Sequence, residues 1–268
     1  LANRPADLST RQGFLAASAQ FAQRVNGVSD QLTEMSLRTD RELQQTVSQV
    51  NERLTQIRTL NDQIARTQVS GQPPNDLLDQ RDAAIASLGE LMAVSTVTAT
   101  DGSLNVYSPS GAPLVVGSHV ATLSAVADPA DPSRIALRLD QGNNSSQYMD
   151  AAALGGGSLA GLMQFRDQDL AAARSQLGAL AQRVADAFNT QHALGVDAGG
   201  TPGAALFTVV SDANGLVTGL KAAALAPSQL ATGLAALPQA AATNTGGARV
   251  AAFEIARTTT DSALPVTI

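Results

Sequence analysis

The residues able to do chemistry are few, and each is judged by its neighbours. Four carboxylates, Asp76, Asp79, Asp82 and Glu90, fall in one short amphipathic stretch. Paired carboxylates cleave glycosides only when they face each other across a cleft. Residues three apart on a helix lie side by side instead, so this group reads as a solvated or bundle-edge face near Arg81. The two histidines are distant in sequence and do not suggest a zinc site. His119 lies in a strand-like run. His192 lies at a helix end, where an imidazolium would meet the C-terminal dipole favourably.

The glycines Gly155, Gly156 and Gly157 open two near misses. Gly155-x-Gly157-x-x-Ala160 loosely matches a dinucleotide loop, but that fingerprint needs a βαβ unit and an acidic residue about 20 positions on. A long helical pattern follows instead, so the triplet reads as an interdomain hinge. Gly156-x-Ser158-x-Ala160 lacks the last glycine of a nucleophile elbow, and Ser158 reads as a helix N-cap. Asp212-Ala213-Asn214-Gly215 begins like a calcium loop without its later Glu ligand, so a hairpin turn is expected. Gly-Lys never occurs, which excludes a phosphate loop. No catalytic, cofactor-binding or metal-ligating set is expected, no cofactor is implied, and the chain is not read as an enzyme.

The 268 residues carry 17 Lys+Arg against 23 Asp+Glu, and 16 of the basic residues are Arg. With net charge −6 and no basic run, there is no face to neutralise phosphates. Nucleic acid is therefore not expected as a partner. Nor is a membrane, since no apolar stretch reaches the ~18 residues of a bilayer span. Zero cysteines exclude disulfides and thiolate metal sites. With 49 alanines and 3% aromatic residues, the core must rest on closely approaching helices and thin sheets.

The positioning elements follow from periodicity. Leu8 to Arg66 holds no proline and only two glycines, Gly13 and Gly27. Apolar residues recur three and four apart at Phe14, Phe21, Val25, Val28, Leu32 and Met35. After a one-residue slip they resume at Leu43, Val47, Val50, Leu54, Ile57, Leu60 and Ile64. This predicts one long helix capped by Ser9 or Thr10, roughly 85 Å in length at ~1.5 Å per residue. It must stop before Gln72-Pro73-Pro74. Asn75 is then a natural N-cap, with Asp76 and Asp79 in the first turn of a second, antiparallel helix carrying Leu77, Leu78, Arg81, Ile85, Leu88 and Met92.

From Val94 to Met149 the period falls to two, with Asp101-Gly102 as a hairpin signal. One meander is expected, including strands at Ser95–Thr100, Leu104–Tyr107, Leu114–Val116, Val120–Val126, Ile135–Leu139 and Gln147–Met149. A third long helix runs from Ser158 to His192, with Met163, Leu170, Leu177 and Val184 seven apart, Leu159, Leu180 and Phe188 beside them, and Gly195 ending it. Leu206–Val210, Leu216–Leu220 and Arg249–Arg257 read as further strands, Ala222 to Ala242 is ambiguous, and Val266 to Ile268 reads as a strand. The expected class is α+β and multidomain, an elongated bundle of long antiparallel helices bearing small antiparallel β domains. The expected division is a helical rod domain at 1–93 and 155–195, an inserted β domain at 94–154, and a truncated second β-rich domain at 196–268.

Several runs resemble the flagellar hook-associated proteins of the hook–filament junction, the FlgK family. They are Asn75-Asp76-Leu77-Leu78-Asp79-Gln80-Arg81-Asp82 and, before it, Leu60-Asn61-Asp62-Gln63-Ile64-Ala65. Asn3-Arg4-Pro5 with Arg11-Gln12, the β insertion with Val106-Tyr107, the stretch Gly156 to Leu162, and Phe188-Asn189-Thr190-Gln191-His192 with Gly195 and Leu206-Phe207 continue the pattern. The resemblance covers Asn3 to Phe207 and implies a structural adaptor without catalysis. It implies type III export without a cleavable signal peptide and an extracellular place in the flagellum. The implied partners are the hook protein, the second junction protein, copies of the chain itself, and an export chaperone binding a terminus absent here. Since the chain begins with Leu1, it is expected to be a central fragment lacking both native termini. The motif residues expected to matter structurally are Asn75, Leu77, Leu78, Asp79, Arg81 and Asp82. Leu77, Leu78 and Ile85 would lock the short helix onto the long one. Asp79, Arg81 and Asp82 would fix the loop where helices meet the β domain. Alternatives are a flagellin-like filament subunit, or a surface adhesin or carbohydrate-binding module using the β domains.

Overall fold

The computed structural model describes residues 6–69, 74–132, 134–142 and 145–234. It is an α+β protein in which one very long helix accompanies shorter helices and small antiparallel sheets. Helix α1 spans Leu8–Val69, as the proline-free stripe requires. Its start is capped by Asp7 instead of Ser9 or Thr10: the Asp7 carboxylate accepts from Ser9 N–H at 2.9 Å and from the Thr10 hydroxyl at 3.0 Å. The described residues form two compact units, 32–172 and 1–31 with 173–268, each combining helix with sheet.

In the unit 32–172, α1 contributes Leu43, Val47, Val50, Leu54, Ile57 and Leu60 to one core, which is the spacing read from the sequence. Helix α2 is Asn75–Leu91. Asn75 is its first helical residue and not its cap, which corrects the expectation. The preceding Pro74 occupies the cap position without a side-chain bond, and its carbonyl accepts from the N–H groups of Leu77 and Leu78 at 3.0 Å. Asp76 lies in the first turn, but Asp79 lies beyond it. Ala84, Leu88 and Met92 seat α2 in the core, with Leu77 and Ile85 packed against it. Leu78 is half-buried and outside that cluster.

The expected meander is two sheets. Strands β1 (Ser95–Thr98), β2 (Leu104–Tyr107), β3 (Pro113–Val116) and β4 (His119–Val120) form one, in that order. Strands β5 (Thr122–Ala127), β6 (Ile135–Asp140) and β7 (Ser146–Met149) form the other. The single strand expected at Val120–Val126 changes partner at the buried Ala121: Val120 pairs with β3, and Thr122 onward pairs with β6. A strand that leaves one sheet for another makes a corner between them. Both sheets feed the α1 core through Val106, Leu114, Val115, Leu123, Leu137, Leu139 and Met149.

Short helix α3 (Ala151–Leu154) and helix α4 (Gly157–Gln164) flank the glycine triplet. Gly156 holds the cap position of α4 and Ser158 lies within the helix, so the serine does not cap it. A π-helical turn, Phe165–Leu170, then leads into α5 (Ala171–Ala193). Such turns hold one residue more than the α register. After Met163 and Leu170 the buried positions are Gly178, Ala181, Ala185 and His192; Leu177 and Phe188 of the expected stripe pack part-buried against the core, while Leu180 is 50% exposed.

In the unit 1–31 with 173–268, small residues on α5 allow a sheet to approach its backbone. A Cβ on Gly178 would fall 2.7 Å from the Val217 carbonyl oxygen. Strands β9 (Phe207–Ser211) and β10 (Val217–Ala222) form the hairpin expected around Asp212-Ala213-Asn214-Gly215. The Asp212 carboxylate closes it by accepting from the N–H groups of Asn214 and Leu216 at 2.9 Å. Gly195 does not end α5. It belongs to β8 (Gly195–Val196), paired with β11 (Gly233–Leu234). Four of the six phenylalanines gather here: Phe188 and Phe207 meet edge-on at 5.6 Å, flanked by Phe14 and Phe21. Ala22, Val25, Leu206, Leu220 and Leu230 complete this core. Val28 and Met35 of the expected stripe are exposed, at 44% and 40%. The strands expected at Arg249–Arg257 and Val266–Ile268, and residues 235–242 of the ambiguous segment, lie outside the described residues.

Candidate functional site

Of the motif residues expected to carry structure, the fold takes Arg81 furthest inside. The guanidinium is buried, and Nη1 donates to the Gly102 carbonyl at 3.0 Å and to Asn61 Oδ1 at 3.5 Å. Gly102 lies in the β1–β2 turn, so Arg81 ties α1 and α2 to that turn. Asn61 sits eight residues before the end of α1 and Arg81 six residues into α2, so the two helices run antiparallel. Asp82 adds only a 3.7 Å approach to Nε from a side chain that is 69% exposed. Exposed pairs of that kind contribute little. Asp79 is exposed, and of the three side chains Arg81 is the one buried and bonded to the β1–β2 turn.

Asn61 shows a device that the sequence reading missed. Its Nδ2 donates to the Leu104 carbonyl at 2.8 Å while Oδ1 accepts the Leu104 N–H at 3.1 Å. The side-chain amide thus presents β2 with the donor and acceptor of a neighbouring peptide group. Asn51 does the same to Leu123 at 2.8 and 2.9 Å, and Asn26 to Leu220 at 3.0 and 2.8 Å. Asn189 donates to the Phe207 carbonyl at 2.8 Å and accepts from the N–H groups of Leu206 and Phe207 at 2.7 and 2.9 Å. Four helix asparagines therefore dock strands β2, β5, β10 and β9. The available signal was position: Asn51 and Asn61 directly follow the stripe residues Val50 and Leu60, and a polar side chain at the edge of a buried stripe needs a partner.

A second unforeseen cluster surrounds the π-helical turn. Arg166 is buried and bonds Asp40 Oδ1 on α1 at 2.9 Å, the Ile135 carbonyl at 2.9 Å, and Asp167 through Nε at 2.7 Å. Burial opposes its charge, but the bonds to Asp167 and Asp40 outweigh that and hold it protonated beyond the usual arginine range. Arg134 pairs with Asp167 at 2.5 Å, which brings two arginines and two aspartates together.

The remaining candidates resolve one by one. Asp76, Asp79, Asp82 and Glu90 are all exposed on α2. Among the described residues, no group of three or more His, Asp or Glu is placed to hold a metal ion, and no helix is long and apolar enough to cross a membrane. Asp101 accepts from the Ser103 hydroxyl at 2.6 Å and from its N–H at 3.0 Å. These bonds hold its carboxyl below the ordinary range. His192 lies in the last turn of α5, as expected. It is fully buried, and that burial lowers its proton affinity. The glycine triplet is packed as well as bent. Gly157 has φ 76°, and a Cβ there would fall 2.5 Å from the Leu91 carbonyl carbon; on Gly155 it would meet Pro109 at 2.5 Å.

The chain has relatives among known proteins. A family model described as "Flagellar hook-associated protein FlgK helical domain" matches residues 1–207. The chain belongs to the FlgK family. Flagellar hook-associated protein 1 of Escherichia coli is 35% identical over 211 residues, covering 78% of this chain and 39% of that protein. Its counterpart in Salmonella typhimurium is 35% identical over 213 residues, covering 79% and 38%. The solved structure of the flagellar hook junction protein FlgK from Burkholderia pseudomallei superposes with a TM-score of 0.72 at 38% identity, over 78% of this chain and 38% of that one. The chain thus spans about two fifths of the FlgK relatives it matches. Asn61, Arg81 and Asn189 all lie within the FlgK-matched segment.

Proposed function

We propose that this chain is part of a structural adaptor subunit of the bacterial flagellum, one that joins hook to filament by lateral and axial packing and carries no catalysis. The family match over residues 1–207, with relatives named flagellar hook-associated protein 1, carries this reading. The proposed partners are the hook protein, the second junction protein and copies of the chain itself. An export chaperone would act through a terminus outside this sequence. The place of action is outside the cell, reached by type III export without a cleavable signal peptide. Segments 1–93 and 155–195 would serve as the packing helices, with 94–154 and 196–268 as the β-rich parts they carry.

Electron microscopy of cells lacking the full-length gene, with a blot for flagellin in the medium, tests the proposal. Bare hooks with flagellin lost to the medium, both reversed by the restored gene, are the expected outcome. Normal filaments on the deletion strain would overturn it.

A further inference from the structure

His192 uses both ring nitrogens inside the unit 1–31 with 173–268. Nδ1 lies 2.5 Å from the Ala204 carbonyl oxygen, and Nε2 lies 2.7 Å from the Ala231 nitrogen. A backbone N–H can only donate, so Nε2 carries the lone pair and Nδ1 the proton. The ring is neutral and of one tautomer. The Gly203 backbone closes over it: a Cβ there would stand 2.6 Å from Nδ1 and 2.2 Å from the His192 carbonyl oxygen.

Ala231 belongs to a strap, residues 226–234, in which Leu230, Ala231 and Thr232 are fully buried. The strap is held at separate points. Thr232 N–H donates to the Val196 carbonyl at 3.1 Å, the Ser228 carbonyl accepts from Ala198 at 3.1 Å, and Gly233 and Leu234 pair with Val196 and Gly195. Arg11 on α1 grips it twice, at the Pro227 carbonyl (3.1 Å) and the Thr232 hydroxyl (2.7 Å). Among the described residues, the charged groups facing the imidazole or its strap are Asp197, which favours its protonation, and Arg11, a cation bonded to the same strap.

We propose that His192 is a proton-operated latch whose protonation at Nε2 releases the strap 226–234 from the end of α5. A proton there turns the acceptor into a donor aimed at the Ala231 N–H, so the bond is lost and two donors confront each other. Burial opposes the imidazolium first, against smaller opposing effects of the Ala204 bond and Asp197. The latched state thus binds the proton less readily than the open one. Acid favours opening, by up to tenfold per pH unit below about 6.5, until the latched ring itself titrates.

Hydrogen exchange of the intact chain, followed by mass spectrometry from about pH 7.5 to about pH 5 and corrected for intrinsic rates, tests the latch. The expected result is a roughly tenfold loss of protection per pH unit in peptides covering 226–234, with the β9–β10 hairpin unchanged. In His192→Gln, whose Oε1 can accept without titrating, the pH dependence should vanish. Should that variant not fold, nitrogen NMR of the wild-type ring replaces it: Nε2 must gain its proton at the same midpoint as the strap loses protection. Strap protection that ignores pH, a loss that proceeds equally in His192→Gln, or a ring that titrates beneath a protected strap would each overturn the latch.

Discussion

Asn61 and Leu104 bind each other in both directions, amide to peptide, at 2.8 and 3.1 Å across 43 positions of sequence. The pair fixes which turn of α1 receives β2. Removing the amide leaves a backbone donor and acceptor unsatisfied, at a typical cost of about 1–3 kcal/mol. Asn61→Ala should therefore lose about 2–3 kcal/mol in urea unfolding and expose the Leu104 amide to exchange. Unchanged stability together with a still-protected amide would dismiss the docking role.

Arg81 shares the Asn61 oxygen, so the two side chains act as one unit with the Gly102 carbonyl. Arg81→Ala should cost about 1.5–3 kcal/mol, as for hydrogen bonds to charged groups. Combined with Asn61→Ala, it should cost measurably less than the sum of the two, by at least ~0.5 kcal/mol. A double-mutant cycle that closes to additivity would mean that Arg81 works independently of Asn61.

The Arg166 cluster predicts an asymmetry between partners. Asp40→Ala strips one carboxylate from a buried arginine and should cost about 3 kcal/mol, read as a lowered melting temperature. Glu34→Ala, which removes an exposed pair with Arg41, should change stability by less than about 1 kcal/mol. Equal effects would show that burial of Arg166 is energetically idle.

Gly157→Ala separates packing from hinge motion. An alanine there meets the Leu91 backbone at a positive φ, so about 2–4 kcal/mol of stability should be lost through overpacking and the left-handed conformation. A variant as stable as the parent but impaired in junction assembly would instead favour the hinge.

Asp101 should titrate below ordinary aspartate when followed by carbon NMR, and Ser103→Ala should move its midpoint upward. The sign follows from the lowered folded value. The contribution is complete above the unfolded pKa and is lost as pH falls through the folded one, in the acid range below about 4. An unmoved midpoint in Ser103→Ala would dismiss the hydroxyl as the main cause.

Periodicity was legible wherever one face of an element is buried against another. The stripe from Leu43 to Leu60 and strands such as β6 were readable because burial selects every third or fourth residue on helices and alternate ones in strands. The cap at Asn75 was not, because the proline before it supplies its carbonyl instead. The deepest positions of α5 were not legible, because they are small or polar residues, Gly178, Ala181, Ala185 and His192, which an apolar stripe does not mark. The asparagines stand beside the stripes, each directly after an apolar stripe residue, but their partners lie 17 to 194 positions away, beyond the reach of local pattern. Asn61 and Asn189 stood within family runs without an evident task until Leu104 and Phe207 lay beside them.

The four docking side chains are neutral amides, and this sets how their grip responds to the surrounding medium. Ion pairs at a surface weaken as dissolved salt shortens the range over which charges attract. An amide pairing with a peptide has no net charge to screen and no proton to gain or lose in ordinary water. Strands β2, β5, β9 and β10 should stay moored through swings of salinity that slacken the Arg41–Glu34 pair, making their attachment indifferent to habitat.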